Sequence, residues 1–344
     1  MINTSSQIAS HFPTVPLIEG PTPIRRLSRL ESQCGADRQD IAIYVKRDDL
    51  GEIGGGGNKL RKLELLLGAA LADGADTVIT IGGIQSNHAR LTAAACARHG
   101  LACELMLADM VPRHDVAYRN NGNVMLDDLF GAKVHRLAPN VDALAAAQDR
   151  AVALREQGRR AMVVPSGGSS PLGALGYVRC ALEVIEQESV LGTTFDRVVV
   201  PNGSSGTQAG LVAGFHSAGR GAQTVNAYSV LADRDATHAR TVQLAGETLA
   251  LLGHSASALS VDDVVIDGAH RGAAYGIPTQ GMLDVVRLLA RSEGLLLDPV
   301  YSGKAFAGLL ADIRAGAVPA GTSVLYVMTG GTPGLFAYRE AFAG

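Results

Sequence analysis

The chain has 344 residues, 47% hydrophobic and 18% charged, so it can bury one or two substantial cores and is too apolar to be disordered. A formal net charge of -3 without basic clusters argues against a nucleic-acid or polyanion partner. No run approaches the roughly 18 apolar residues of a membrane span, and the opening MINTSSQIASHFPTVPL has neither the basic nor the apolar stretch of a secretory signal. Four cysteines, none in a CxxC pair, predict reduced thiols in a cytoplasmic protein, and no metal site is expected.

Taken in chain order, the first predicted strand is Ile41–Lys46. It leads to the run Gly54–Gly57, followed by Asn58-Lys59-Leu60-Arg61-Lys62. Leu60, Leu63, Leu67 and Leu71 recur at helical spacing, so a helix is predicted over Asn58–Asp73, capped by Asn58. A lysine in the first turn opposes the helix dipole. Read blandly, this is a flexible loop with solvated lysines. Read chemically, Lys59 is an amine whose pKa is lowered by burial and by the helix end, as a nucleophilic lysine requires. Lys62 and Arg61 are expected to offer positive charge to a phosphate.

A strand over Thr77–Ile81 then enters Gly82-Gly83-Ile84-Gln85-Ser86-Asn87-His88, which opens a helix over Asn87–His99. Ser86, Asn87 and His88 place three polar side chains at a helix start, where anions bind well; standing alone, the segment is also an ordinary capped helix. Strands Cys103–Leu107, Val134–Leu137 and Ala161–Pro165 follow, with a helix over Val141–Gln157. After Gly167–Gly168 come a helix over Leu172–Glu188 and a strand over Arg197–Pro201. The turn Asn202-Gly203-Ser204-Ser205-Gly206-Thr207 lies between that strand and a small-residue helix, Thr207–Ala218. It can surround a phosphate with backbone N–H groups and hydroxyls. It is neither a Walker A loop, a GxGxxG nor a GxSxG elbow.

The remaining predicted strands are Val225–Val230, Gly294–Asp298 and Ser323–Met328, with helices over Gly281–Glu293 and Gly303–Ala315. Tyr275 and Tyr301 sit in Gly/Pro-rich loops, as candidates for stacking or acid–base work or as plain packing. Thr329 ends an apolar strand directly before Gly330-Gly331, where α/β sheets present ligand contacts. Unbroken apolar strands alternating with helices indicate parallel sheets covered on both faces, and nine strands suit two sheets better than one. The expected architecture is therefore α/β with two parallel-sheet domains. A smaller domain over 58–168 is inserted into a larger one made of 1–57 and 169–344.

Together these segments resemble the fold-type II pyridoxal-phosphate (PLP) enzymes, and among them the D-cysteine desulfhydrase / 1-aminocyclopropane-1-carboxylate (ACC) deaminase family. The resemblance runs from Pro21-Thr22-Pro23-Ile24 to Tyr338 with the motifs in the family's order. It implies PLP bound in the cleft between the two domains. Lys59 would hold it as a Schiff base, Lys62 would lie near its phosphate, and Gly203, Ser204, Ser205, Gly206 and Thr207 would form the phosphate loop. Asn87 would lie beside the 3'-oxygen and Thr329 would face the pyridine nitrogen. Ser86, Tyr275 and Tyr301 would join Lys59 as catalytic residues. Ser86, Asn87, His88, Tyr275, Tyr301 and Ser302 would meet a small amino-acid substrate.

The family's ACC deaminases carry Glu and Leu where this chain has Ser302 and Thr329. The Ser/Thr pair looks like D-cysteine desulfhydrase, which implies elimination of sulfide from D-cysteine. L-cysteate sulfo-lyase and ACC deaminase are the alternatives within the family, and a non-enzymatic phosphate-binding α/β protein is the alternative outside it. The resemblance also implies a homodimer.

Overall fold

The computed structural model describes residues 4–138 and 140–343. Residues 1–3 of the N-terminal segment, and the outer domain limits 1 and 344, lie outside that range. Among the described residues no helix is long and apolar enough to cross a membrane.

Among the described residues ten strands form two sheets. They are β1 (Ile24–Arg26), β2 (Ala42–Lys46), β3 (Thr77–Gly83), β4 (Ala102–Ala108), β5 (Lys133–Leu137), β6 (Ala161–Val164), β7 (Arg197–Asn202), β8 (Val225–Ser229), β9 (Val265–Asp267) and β10 (Ser323–Val327). The six-stranded sheet has the order β1-β2-β10-β7-β8-β9 and the four-stranded sheet β5-β4-β3-β6. Every pairing is parallel except β1 with β2 at the edge, where Ile24 faces Lys46. This is the two-sheet α/β architecture that the apolar strand pattern predicts.

The apolar runs of the inner strands β3, β4, β7 and β10 are continuous because both of their faces are buried, whereas the edge strand β5 is largely exposed. Along β10, Val324 and Tyr326 pack with Leu27, Val286, Phe306 and Leu310 on one face. Leu325 and Val327 pack with Phe215, Val198 and Val200 on the other. In the smaller sheet the alternation repeats, with Leu105 and Leu107 directed toward Leu63 and Leu91, and Met106 toward Ala147 and Leu154.

Two strands escaped the pattern. β1 and β9 are three residues each, too short for a period to show. One predicted strand is absent: Gly294–Asp298 pairs with no neighbour. Gly294 ends the helix Gln280–Glu293 in the left-handed conformation (φ +68°). Leu297 then packs into the core as extended loop, and the Asp298 carboxylate accepts from the Ser302 N–H.

The two sheets meet where β3, β7 and β10 end. An isolated bridge joins Gly57 to Gly330, and the Asn58 N–H donates to the Thr329 carbonyl at 3.1 Å. The strand ends of both sheets therefore open on one cleft, the usual ligand position in α/β folds.

Candidate active site

One cavity lies in this cleft. Lys59, Ser86, Asn87, His88, Gly203, Ser204, Ser205, Thr207, Tyr275, Tyr301 and Thr329 all line it. They come from six segments spread over 270 residues of sequence.

Lys59 begins the helix Lys59–Ala72. It opens into the cavity and has no hydrogen-bond or ion-pair partner among the described residues. Burial drives its pKa from the usual lysine value down to about 8, and the Asp298 carboxylate opposes that shift. Lys62, one turn on, is fully buried behind the wall. Its Nζ donates to the Gly167 carbonyl (3.1 Å) and Ser169 Oγ (3.3 Å), and burial together with Lys59 holds its pKa well below the ordinary range. Arg61 does not serve a phosphate. Its guanidinium pairs with both oxygens of Asp48 at 2.8 Å and with Glu183, and Glu183 also pairs with Lys46. That buried network fixes the start of the helix against the larger sheet.

The turn after β7 forms a cup. The Ser205 N–H donates to Asn202 Oδ1 (3.0 Å), holding Ser205 at φ +69°, a strained value for a side chain with a Cβ. The helix Gly206–Ser217 starts there, so the N–H groups of its first turn have no intrahelical acceptor. Asn58 Nδ2 donates to Thr207 Oγ1 across the cleft (3.0 Å). Gly206 leaves no room for a side chain: a Cβ would lie 2.6 Å from Ser169 Oγ and 2.8 Å from Lys62 Nζ. Gly206→Val is therefore expected to weaken cofactor affinity at least about tenfold, since the added side chain would push the turn away from Ser169 and Lys62 packed behind it. Titration of the apoprotein with PLP checks this, and unchanged affinity would remove the cup from the site.

The opposite wall is the start of the helix Asn87–Arg98. Ser86 caps it, accepting from the Ala89 N–H at 3.1 Å. Asn87 Oδ1 accepts from Asn123 Nδ2 (2.9 Å), which leaves the Asn87 amide N–H as the free end, beside Gly331. Thr80 Oγ1 spends its proton on the Val164 carbonyl, so His88 Nε2 must donate to Thr80 at 2.9 Å. Burial and the two lysines hold His88 well below its usual pKa. It is neutral, with a buried, unpartnered Nδ1 lone pair.

Tyr275 and Tyr301 share a hydrogen bond of 2.5 Å between their hydroxyls. Burial pushes both phenols above their ordinary pKa. Ser302 faces away from the cavity. Its hydroxyl donates to Asp298 Oδ1 (2.6 Å) and accepts from the Asp298 N–H (2.8 Å). The structure thus keeps Lys62, Gly206 and Ser302 out of the lining.

Asp298 is the functional residue that pattern reading missed. It is buried, and its two oxygens accept from the N–H groups of Val300, Tyr301 and Ser302 as well as the Ser302 hydroxyl. Burial raises its pKa against those donors. An acid-proline pair directly before a helix start was the available signal. Asn123, which orients Asn87, had none.

An amine with a depressed pKa and no hydrogen-bond or ion-pair partner among the described residues, facing a cup of helix-start N–H groups and hydroxyls, fits PLP. Lys59 would hold the aldehyde carbon, and the 203–207 turn the phosphate.

Comparison with known proteins agrees. Residues 15–330 match the family described as pyridoxal-phosphate dependent enzyme. The chain is 40% identical to a 1-aminocyclopropane-1-carboxylate deaminase of Methylobacterium nodulans over 335 residues, 96% of this chain and 98% of that one. It is 41% identical to the enzyme of that name from Burkholderia vietnamiensis, with the same coverage. A crystal structure of an ACC deaminase homologue superposes with a TM-score of 0.85 at 34% identity, covering 99% of both chains. O-ureido-L-serine synthase, at 20% identity and a TM-score of 0.64 over 94% of each chain, shares the fold.

Proposed function

The chain belongs to the pyridoxal-phosphate dependent enzyme family, and on that footing we propose that it is a lyase eliminating sulfide from D-cysteine to give pyruvate and ammonia. The observation that carries this reading is the make-up of the cavity wall: it includes no Asp or Glu, and Lys59 is the one group there with a pKa near neutral. Bound PLP supplies an electron sink for negative charge developing at the substrate α-carbon. Lys59 Nζ, released and neutral, takes the α-proton; the two phenols, kept protonated by their raised pKa, and the Ser86 hydroxyl have no proton-accepting anion at neutral pH with which to compete. The Tyr275–Tyr301 pair has one hydroxyl proton engaged internally and one left to donate to the departing sulfur. The first-turn N–H groups beside Ser86 and Asn87 suit the substrate carboxylate. Water then completes the balance: D-cysteine and water give pyruvate, hydrogen sulfide and ammonia.

Deamination of ACC is the second reading, and the names of the similar deaminases favour it over the first. That substrate has no α-hydrogen. Its ring opening needs proton transfers at ring carbons, which here fall to the tyrosine pair. Against it stand Ser302, turned to Asp298, and Thr329, both of which differ from the residues the ACC deaminases carry. The proposal extends to a cytoplasmic homodimer, supported by the free state of all four cysteines and by the family resemblance.

A parallel assay decides. D-cysteine, L-cysteine, β-chloroalanine, L-cysteate, serine and ACC are each offered to the holoenzyme, reading pyruvate, sulfide, sulfite and 2-oxobutanoate. Sulfide from D-cysteine is expected to exceed 2-oxobutanoate from ACC by about tenfold or more. Faster 2-oxobutanoate establishes the second reading, and sulfite from cysteate reassigns the leaving group.

A further inference from the structure

The segment 268–279 carries Tyr275 into the cavity without regular structure of its own. Two buried side chains hold it. On one side the Tyr338 hydroxyl donates to the Gly276 carbonyl at 2.8 Å. On the other, Lys304 Nζ donates to the carbonyls of Arg271 (2.6 Å) and Ala274 (3.2 Å).

Lys304 is an unusual choice for its position. It lies in the first turn of the helix Ser302–Arg314, where the dipole disfavours a cation. It is fully buried, has no ion-pair partner among the described residues and does not line the cavity. An apolar side chain of equal length would fill the space without the desolvation cost. What the ammonium adds is a pair of charge-assisted hydrogen bonds to the loop, one on the peptide unit directly preceding Tyr275.

We propose that Lys304 is a positioning residue that clamps the Arg271–Ala274 carbonyls and thereby holds the Tyr275 phenol against Tyr301. The inference rests on Tyr275 working in the cavity, and not on which amino acid is consumed.

The test exploits the clamp's own site, because Arg271 offers trypsin a cleavage point at one of the two carbonyls Lys304 holds. Holoenzyme is digested under limiting trypsin and the fragment beginning at Gly272 is followed by mass. Lys304→Met removes both charged hydrogen bonds and should release it at least about tenfold faster, a factor that the loss of either one alone would supply. Lys304→Gln keeps two N–H donors and should recover most of the protection; it also serves should the Met variant fold poorly. In turnover, Lys304→Met should lower kcat more than it changes KM. It should add little in a Tyr275→Phe background, because both changes act through one phenol. Unchanged cleavage at Arg271, or losses that simply add in the double variant, would overturn the proposal. If D-cysteine proves not to be the substrate, the tryptic result still stands or falls alone.

Discussion

Lys59→Ala is expected to lower turnover by about 10³-fold and to abolish covalent retention of the cofactor. Three lysines stand around the site, Lys62 and Lys304 fully buried and Lys59 half-buried, and all three have pKa values pushed down by desolvation. Only geometry separates them. Lys62 Nζ is bound to Gly167 and Ser169, and Lys304 Nζ to Arg271 and Ala274. Lys59 alone of the three opens into the cavity with its amine uncommitted. Its titration near pH 8 gives the reaction a signature. Only the neutral amine attacks an aldehyde, so the neutral fraction falls about tenfold per pH unit below 8 and saturates above it. Capture of PLP by the apoprotein, followed by visible absorption, should therefore accelerate with rising pH and level off beyond about pH 8. Borohydride reduction followed by mass mapping should place the label on Lys59. A label on Lys62 or Lys304 would sink the assignment.

The second large effect is expected at Asp298. Its carboxylate is 2% exposed and accepts four hydrogen bonds, three of them from the backbone at the start of the helix Ser302–Arg314. Asp298→Ala leaves three buried N–H groups without an acceptor and should cost about 3–5 kcal/mol in denaturant unfolding. It also removes the one nearby charge that raises the Lys59 pKa, so the pH profile for PLP capture should move to lower pH. Asp298→Asn separates the two effects. Its amide oxygen keeps part of the acceptor capacity, so stability should fall less, while the charge is lost in full and the profile should shift as far as in the Ala variant. An unchanged unfolding midpoint in Asp298→Ala, or a profile displaced to higher pH, contradicts this account.

Much of the architecture was written in short-range patterns. Unbroken apolar runs such as Val198–Val200 and Val324–Val327 announced strands buried on both faces. Helical spacing of Leu60, Leu63 and Leu67 announced the helix behind Lys59. The resemblance named candidate residues, and the fold brings most of them to one cavity. Such signals are local: periodicity and turn chemistry depend on neighbours a few residues away.

What tertiary structure alone decided depends on partners that the strand order brings together. Arg61 is two residues from Lys59, yet it is drawn to Asp48 and Glu183 because β2 and the helix Pro171–Leu191 pack beside its helix. Ser302 follows Tyr301 in the chain, but the turn of helix that begins there directs its hydroxyl back to Asp298 and away from the substrate space. The Asn87 amide is oriented by Asn123, 36 residues on, and the carbonyls held by Lys304 lie 30 and 33 residues before it. A sequence specifies which residues can ionise or donate a proton. Which of them stay unpartnered, and so remain available for chemistry, is settled only when the strand ends of both sheets meet across the cleft, because a buried polar group takes whatever partner packing supplies.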